Sequence, residues 1–483
     1  MPEASPSPRE GRAPPNDFYL DTRNRALRGA KYMLARHLAV TVMSLVGTIY
    51  LLHQFRPGEW SGFAVAYLLL VSADILLSRS LIAALLRRDV AADPASVSSA
   101  ARLVLYAGLA LAVLLGAFPV AIEPLYTAPD FMLLMGATAL CALLYAARAA
   151  PLTLLERSLR YRRVAISEVA DMAAFYAIAV PAVAAGAGLE ALAVATVVRG
   201  IVSFGIVRAS ARAPLIGSSA RPAWRTLVPF GAPLCAAVGV TVIDALVPVI
   251  VIGHDERAVG FLVLASSVLG YGIAIVPVIQ RVAMPSFGRL SGEQLTQAVR
   301  RSGALSALVT FSVMVPAGGL AEFWVEPLLG RTWRDIVPTL QLVALGQMPL
   351  GPVVVYNAAL TSLGRSSTVL RLQTTTTIFY FVTAAILAVS VGSLGVAVAF
   401  AVSRWVWALL LAHKARQLLD SSPDGSTAFV VTSGLAGFAV ILTAASQGSL
   451  AAGLSTILAG ALWLTLHRHL LRSSFRSATV RLA

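Results

Sequence analysis

Charge is scarce in this 483-residue chain: Asp, Glu, Lys and Arg together make up only 13% of it. An ordinary soluble domain carries about a quarter charged residues. With 58% hydrophobic residues and a mean hydropathy of +0.78, the chain reads instead as an integral membrane protein. Cysteine is nearly absent. Cys141 and Cys235 both fall inside apolar runs without metal-ligand companions, so each reads as a small core residue, and neither a metal nor a cofactor is expected. No Gly-rich loop ends in Gly-Lys-Ser/Thr, which excludes ATP hydrolysis by this chain. A short apolar core followed by a cleavage site is also missing from the N-terminus. Residues 1–24 are rich in Pro and polar side chains and read as a disordered cytoplasmic tail from which no signal peptide is removed.

What the chain does have is long apolar runs, each able to cross a hydrocarbon core of about 30 Å. None shows the alternation of a membrane barrel strand, so the spans are predicted to be helices. They fall at about 33–55, 61–86, 101–122, 131–150, 165–187, 189–207, 227–253, 258–282, 302–323, 336–361, 369–391, 393–412, 427–446 and 450–467. The stretch PLTLLERSLRYRRV, residues 151–164, fixes their direction. It gathers Arg157, Arg160, Arg162 and Arg163 just after Arg148, and basic residues flanking short membrane loops stay cytoplasmic. With alternate loops assigned from there, only four of the 38 Lys and Arg residues lie outside: Arg56, Arg257, Arg331 and Arg334. Three more, Arg79, Arg199 and Arg404, lie within spans. The net charge of +15 is therefore explained by topology, not by a nucleic-acid surface. Both termini are expected in the cytoplasm, in a multi-pass protein of the cell (inner) membrane.

A weak internal repeat accompanies this pattern. Gly62-Phe63-Ala64-Val65 opens the second span and Gly260-Phe261-Leu262-Val263 the eighth. The expected fold is an all-α polytopic membrane protein of about 14 transmembrane helices. It has two six-helix lobes with pseudo-two-fold symmetry, residues 25–220 and 221–415, and an additional helix pair with a tail at 416–483.

A charge near the bilayer centre costs about 2.5–3.5 kcal/mol on insertion scales, so each one needs a partner, a wet cavity or a function. Arg79, Arg199 and Arg404 all sit roughly 10–12 Å above the cytoplasmic border. Facing inward, they form a ring at one level suited to a phosphate or pyrophosphate, because guanidinium binds such oxygens bidentately and stays charged. The alternative is local pairing: Asp171 is close in depth to Arg199 on the neighbouring span, whereas Asp74, five residues before Arg79, is off the best helical spacing for pairing. Asp244 has no basic residue nearby in sequence. A lone buried carboxylate there is a candidate for binding a proton or sodium ion, or else accepts a local hydrogen bond. Asp74, Asp171 and Asp244 are thus the candidate ion-coupling or structural carboxylates. Glu168 is expected to be solvated, and His53 and His254 to be interfacial. Prolines 181, 229, 233, 248, 277 and 316 lie within or at the edges of spans, and Pro349, Gly351 and Pro352 interrupt the tenth. Such breaks are tolerated where freed backbone groups line a cavity or find other partners. No large outer loop carries paired carboxylates, and the longest, residues 324–335, is too short for a catalytic domain.

Several segments resemble the polysaccharide-exporting flippases of the multidrug/oligosaccharidyl-lipid/polysaccharide superfamily. PLTLLERSLRYRRVAISEVA, residues 151–170, looks like the segment after their fourth helix. Val228-Pro229-Phe230-Gly231-Ala232-Pro233, Gly260-Phe261 and the run from Val282 to Leu290 follow the same pattern in order. So do Pro327-Leu328-Leu329-Gly330 with Trp333, Pro338 to Leu345, and Ser362-Leu363-Gly364-Arg365, and the likeness spans most of residues 25–415. The resemblance implies a transporter, not an enzyme. Its substrate would be a polyprenyl-(pyro)phosphate-linked oligosaccharide, moved from the inner to the outer leaflet by alternating access for lipopolysaccharide or exopolysaccharide synthesis. Candidate partners are membrane lipid, H+ or Na+, a polysaccharide polymerase and glycosyltransferases. A drug/cation antiporter or a peptidoglycan-precursor flippase of the same fold is the alternative, although the first span lacks the acidic residue of such an antiporter. A membrane-embedded glycosyltransferase or polymerase is the alternative from another class.

Overall fold

Lipid offers a peptide group no hydrogen-bond partner, so apolar runs of this length satisfy their backbones internally as helices. The computed structural model describes residues 16–81, 94–158, 160–211, 224–273 and 290–419, with isolated positions between 276 and 288. The first half contains α1 (Asn16–Leu52), α2 (Pro57–Asp74) continued by a π-helical segment (Ile75–Leu81), α3 (Pro94–Ile122), α4 (Phe131–Arg157), α5 (Tyr161–Ala184) and α6 (Leu189–Ser210). The second contains α7 (Trp224–Ile252), α8 (Glu256–Gly272), α9 (Gly292–Gly319), the short α10 (Ala321–Leu329) and a 3-10 turn (Arg331–Ile336). It continues with α11 (Val337–Gln347), α12 (Leu350–Ser362), α13 (Ser366–Val391) and α14 (Ser393–Leu419). Among the described residues, eleven helical stretches are long and apolar enough to cross a membrane, and α8, with 17 residues, falls just short. The two spans expected at 427–446 and 450–467 lie outside the described residues, as does the end of the eighth, with Pro277.

One expectation about a boundary changes. Residues 1–24 were expected to be disordered, yet α1 begins at Asn16, directly after Pro14-Pro15. From Asn16 to Leu52 no proline interrupts the chain, so the first span's helix extends backwards by more than four turns. The tenth expected span is interrupted where its prolines imply, α11 and α12 meeting at a turn at Met348-Pro349.

Packing neighbours recur between the halves. In the first, α1 packs on α5, α3 on α4, α4 on α6 and α5 on α6; in the second, α7 packs on α13, α9 on α11 and α12, both of these on α14, and α13 on α14. The halves meet chiefly through α2 and α8. A side chain at Gly260 would strike the Pro57 carbonyl and Ser61, so glycine is what lets the two helix starts touch. Around this contact lies the main apolar core, with Trp60, Val65, Leu70, Val259 and Leu264 all buried. Val113 and Leu114 of α3 and Ile386 and Val389 of α13 are exposed instead, the apolar surface that lipid tails cover.

The end of the bundle that carries the α2 and α8 starts is tied shut. The Trp333 indole donates to the Leu52 carbonyl at 2.9 Å, Tyr126 donates to Ser61 at 2.7 Å, and Thr127 donates to Glu256 at 3.0 Å. Burial holds the Tyr126 phenol well above the usual tyrosine range, more strongly than the Ser61 hydrogen bond lowers it, so it acts as a neutral donor. The Asp255 side chain caps α8 by accepting from the Ala258 N–H at 3.0 Å.

Candidate functional site

Three prolines shape the interior of the second half. A proline has no N–H, so the carbonyl four residues before it loses its helical donor. Pro349 and Pro352 free the carbonyls of Leu345 and Met348 in this way. Side chains supply the missing donors: the Trp405 indole reaches Leu345 O at 3.1 Å and the Thr310 hydroxyl reaches Met348 O at 2.9 Å. Gly346 at the end of α11 lies directly against Phe400 and Ala401, so any side chain there would push α14 away. Pro248 likewise removes the helical donor for the Asp244 carbonyl inside α7.

Between these broken helices is a cavity of about 410 Å³. Thr241, Asp244 and Pro248 of α7, Gln373 of α13, and Arg404 and Trp407 of α14 line it, with Leu68 of α2 reaching in from the first half. Arg404 Nη2 is paired with Asp244 Oδ2, and the other oxygen, Oδ1, accepts from the Thr377 hydroxyl at 3.2 Å. The rings of Phe400 and Trp407 lie 4.7 and 5.8 Å from the Arg404 guanidinium carbon, a cation–π arrangement that holds the planar group in place. Gln373 donates to Thr241 at 2.8 Å. The site is a basic group and several polar donors in an apolar wall, the composition usual for recognising an oriented polar ligand.

A different cluster occupies the first half. Arg199 Nε and Nη2 both donate to Asp171 Oδ2, at 3.1 and 2.5 Å, and Tyr145 donates to Asp171 Oδ1 at 2.8 Å. Arg148 donates to Asp74 at 2.9 Å and also bonds Ser203, while Ser78, in the π-helical segment, donates to Asp74 at 2.9 Å. Two guanidiniums face two carboxylates, so the cluster is neutral as a whole. Its members bridge α2, α4, α5 and α6, with Arg148 stacked 3.7 Å over the Tyr145 ring.

The sequence-derived candidates therefore separate. Arg404 lines the cavity, whereas Arg199 is engaged by Asp171 in the other half, so these two do not meet in one ring. Arg79 lies in the π-helical segment, and its side chain falls outside the described residues. Asp171 has the partner that depth suggested. Asp244 is not alone: its partner Arg404 is 160 residues away in sequence. Asp74 bonds Arg148, a residue read from sequence as part of the basic loop. Glu168 is paired with Arg36 of α1 instead of being solvated. Tyr145, Thr377 and Trp407 were missed altogether, as was the place of Arg148 inside this network. For Arg148 a signal existed, since Cys141, Tyr145 and Arg148 follow the i, i+4, i+7 spacing of one buried helix face.

Comparison with known proteins follows from this geometry. No curated protein matches the chain in sequence. Among solved structures, the lipid II flippase MurJ in an inward closed conformation superposes with a TM-score of 0.70 at 14% identity, covering 92% of this chain and 100% of that one. An inward-facing multidrug resistance MATE family transporter of the MOP superfamily gives 0.63 at 15% identity, covering 80% and 98%. A mutant of the Vibrio cholerae MATE transporter VcmN gives 0.59 at 14%, covering 83% and 97%. At such identities the likeness is one of fold. The family model for polysaccharide biosynthesis proteins, however, matches residues 55–338, more than half of the sequence. The chain is therefore a multi-pass membrane protein that belongs to the polysaccharide biosynthesis protein family and carries the MOP superfamily fold.

Proposed function

We propose that this protein flips polyprenyl-(pyro)phosphate-linked oligosaccharides from the inner to the outer leaflet of the cell membrane by alternating access, for surface polysaccharide synthesis. One observation carries the reading: a fixed guanidinium, Arg404, lines a cavity in the interior of the bundle. A lipid-linked sugar carries its negative charge at the phosphate, next to the membrane-embedded chain. An arginine within a span is placed to take that charge while polar donors such as Gln373 and Thr241 meet the sugar. The distribution of basic residues supports an orientation with both termini cytoplasmic, which makes the tied end of the bundle the outer one. In that orientation the molecule is closed to the outside. The recurring packing neighbours support two lobes, residues 25–220 and 221–415, that rock about the α2–α8 contact.

In this reading Arg404 is the head-group residue. Asp74 and Asp171 are structural, since each is bonded to an arginine within the first half. The test is to delete the gene and analyse surface polysaccharide together with polyprenyl-linked intermediates. Completed lipid-linked units accumulating while surface polymer disappears is the expected outcome; accumulation of incomplete units would replace the flippase by an enzyme of the pathway. The likeness to MurJ favours a second reading, a peptidoglycan-precursor flippase. That reading requires peptidoglycan synthesis to stop in the deletion strain with surface polysaccharide chemistry unchanged.

A further inference from the structure

We propose that Asp244 is a built-in competitor for the anionic group that binds Arg404: the carboxylate holds the guanidinium and is displaced from it by a phosphate or diphosphate. The inference rests on Arg404 being the head-group residue and adds how that residue is loaded and released.

Among the described residues, two of the buried pairs differ in the way this requires. In the first half, the side chains of Arg199 and Asp171 are 6% and 7% exposed, and two guanidinium N–H groups converge on one oxygen. That pair is sealed from both sides. In the cavity, whose wall both residues help to form, the Arg404 side chain is 24% exposed while Asp244 is 9% exposed, so the cation is the more reachable of the two. Asp244 also has a second anchor in the Thr377 hydroxyl, which keeps one oxygen satisfied when the arginine bonds another anion. Finally, the Trp407 indole N–H is buried without an acceptor, although its ring lies beside Arg404 on the cavity wall. A buried donor left unpaired is costly, and this one belongs to a side chain that packs on the Arg404 guanidinium.

The consequence is a binding site tuned for release. An anion that must displace a carboxylate binds more weakly than the arginine alone allows, and the returning carboxylate helps expel it after transport. Neutralising the competitor strengthens binding.

The experiment measures binding of farnesyl diphosphate to the purified full chain in lipid nanodiscs. Asp244→Asn is expected to tighten binding about tenfold or more, within the usual range of coupling free energies. Unchanged or weaker binding in this variant overturns the competitor. The Arg404 reading is tested separately: Arg404→Gln is expected to abolish the interaction in both the parent and the Asp244→Asn background. Undiminished binding in Arg404→Gln overturns the head-group assignment itself. Inorganic pyrophosphate distinguishes a free anion from a lipid-borne one, and equal affinity for the two probes overturns the lipid-linked substrate. Because Asp244→Asn leaves Arg404 without its counter-ion, the variant is also purified with farnesyl diphosphate or farnesol present. Recovery of folded protein with the diphosphate alone supports the proposal. Recovery with farnesol but not with the diphosphate overturns it.

Discussion

Arg199 and Arg404 are the same residue type inside comparable helices, and their neighbours give them different work. Arg199 is enclosed by Asp171, Tyr67 and Phe175, with no face toward the cavity. Removing one partner of such a buried pair leaves an uncompensated charge, at a cost of about 3–5 kcal/mol. Arg199→Ala is therefore expected to lower the thermal unfolding midpoint sharply in detergent and to reduce the amount of protein in the membrane. Arg404→Gln removes a partly exposed cation and leaves Asp244 its bond to Thr377. This variant should lose glycan export while losing less stability than Arg199→Ala. Measuring both quantities on both variants decides between the roles; a stable Arg199→Ala variant with normal amounts in the membrane would show that the first-half network is not structural.

At the scale of the element, the break between α11 and α12 is a designed opening. The chain gives up two helical hydrogen bonds at Pro349 and Pro352 and replaces them with bonds from Trp405 and Thr310. Restoring the helical donors with the double change Pro349→Ala and Pro352→Ala should straighten the segment and displace Trp405 from Leu345 O. The expected result is equal or greater thermal stability with impaired export. Trp405→Phe makes the complementary test: it strands the Leu345 carbonyl, at a cost of about 1–3 kcal/mol for a buried unpaired group. The α2–α8 contact is a second such element. Gly260→Leu must push the Pro57 carbonyl and Ser61 aside, which separates the halves at their tied end. A cysteine placed at the buried Ser61 should then react with a water-soluble maleimide faster than it does with Gly260 intact, and equal rates would mean that the contact is not what closes this end.

For the whole molecule, the arrangement of basic residues makes a prediction about direction. Thr127 and Ser158 are both exposed, and they lie at opposite ends of α4. With cytoplasmic termini, Thr127→Cys is labelled by an impermeant maleimide in intact cells and Ser158→Cys only after permeabilisation. The reverse pattern would invert the membrane topology and place the tied end inside.

The membrane class, most of the spans and the family likeness were legible in the sequence because they depend on properties that run along the chain. Hydropathy over twenty residues decides whether a segment prefers lipid, and the position of Pro349 and Pro352 shows which carbonyls lose a donor. The Asp171–Arg199 pair was readable for the same reason, since adjacent antiparallel helices bring together residues of similar depth. Other features were not. The partner of Asp244 stands 160 residues away, Asp74 is bonded across 74 residues to Arg148, and the Trp407 indole becomes an unpaired donor only once α14 is packed. Apolar patterning tells a helix that it is buried, but many packings bury the same surface. Which cation meets which carboxylate was decided by tertiary structure, because a charge removed from water must find its counter-ion on whatever helix the packing places beside it.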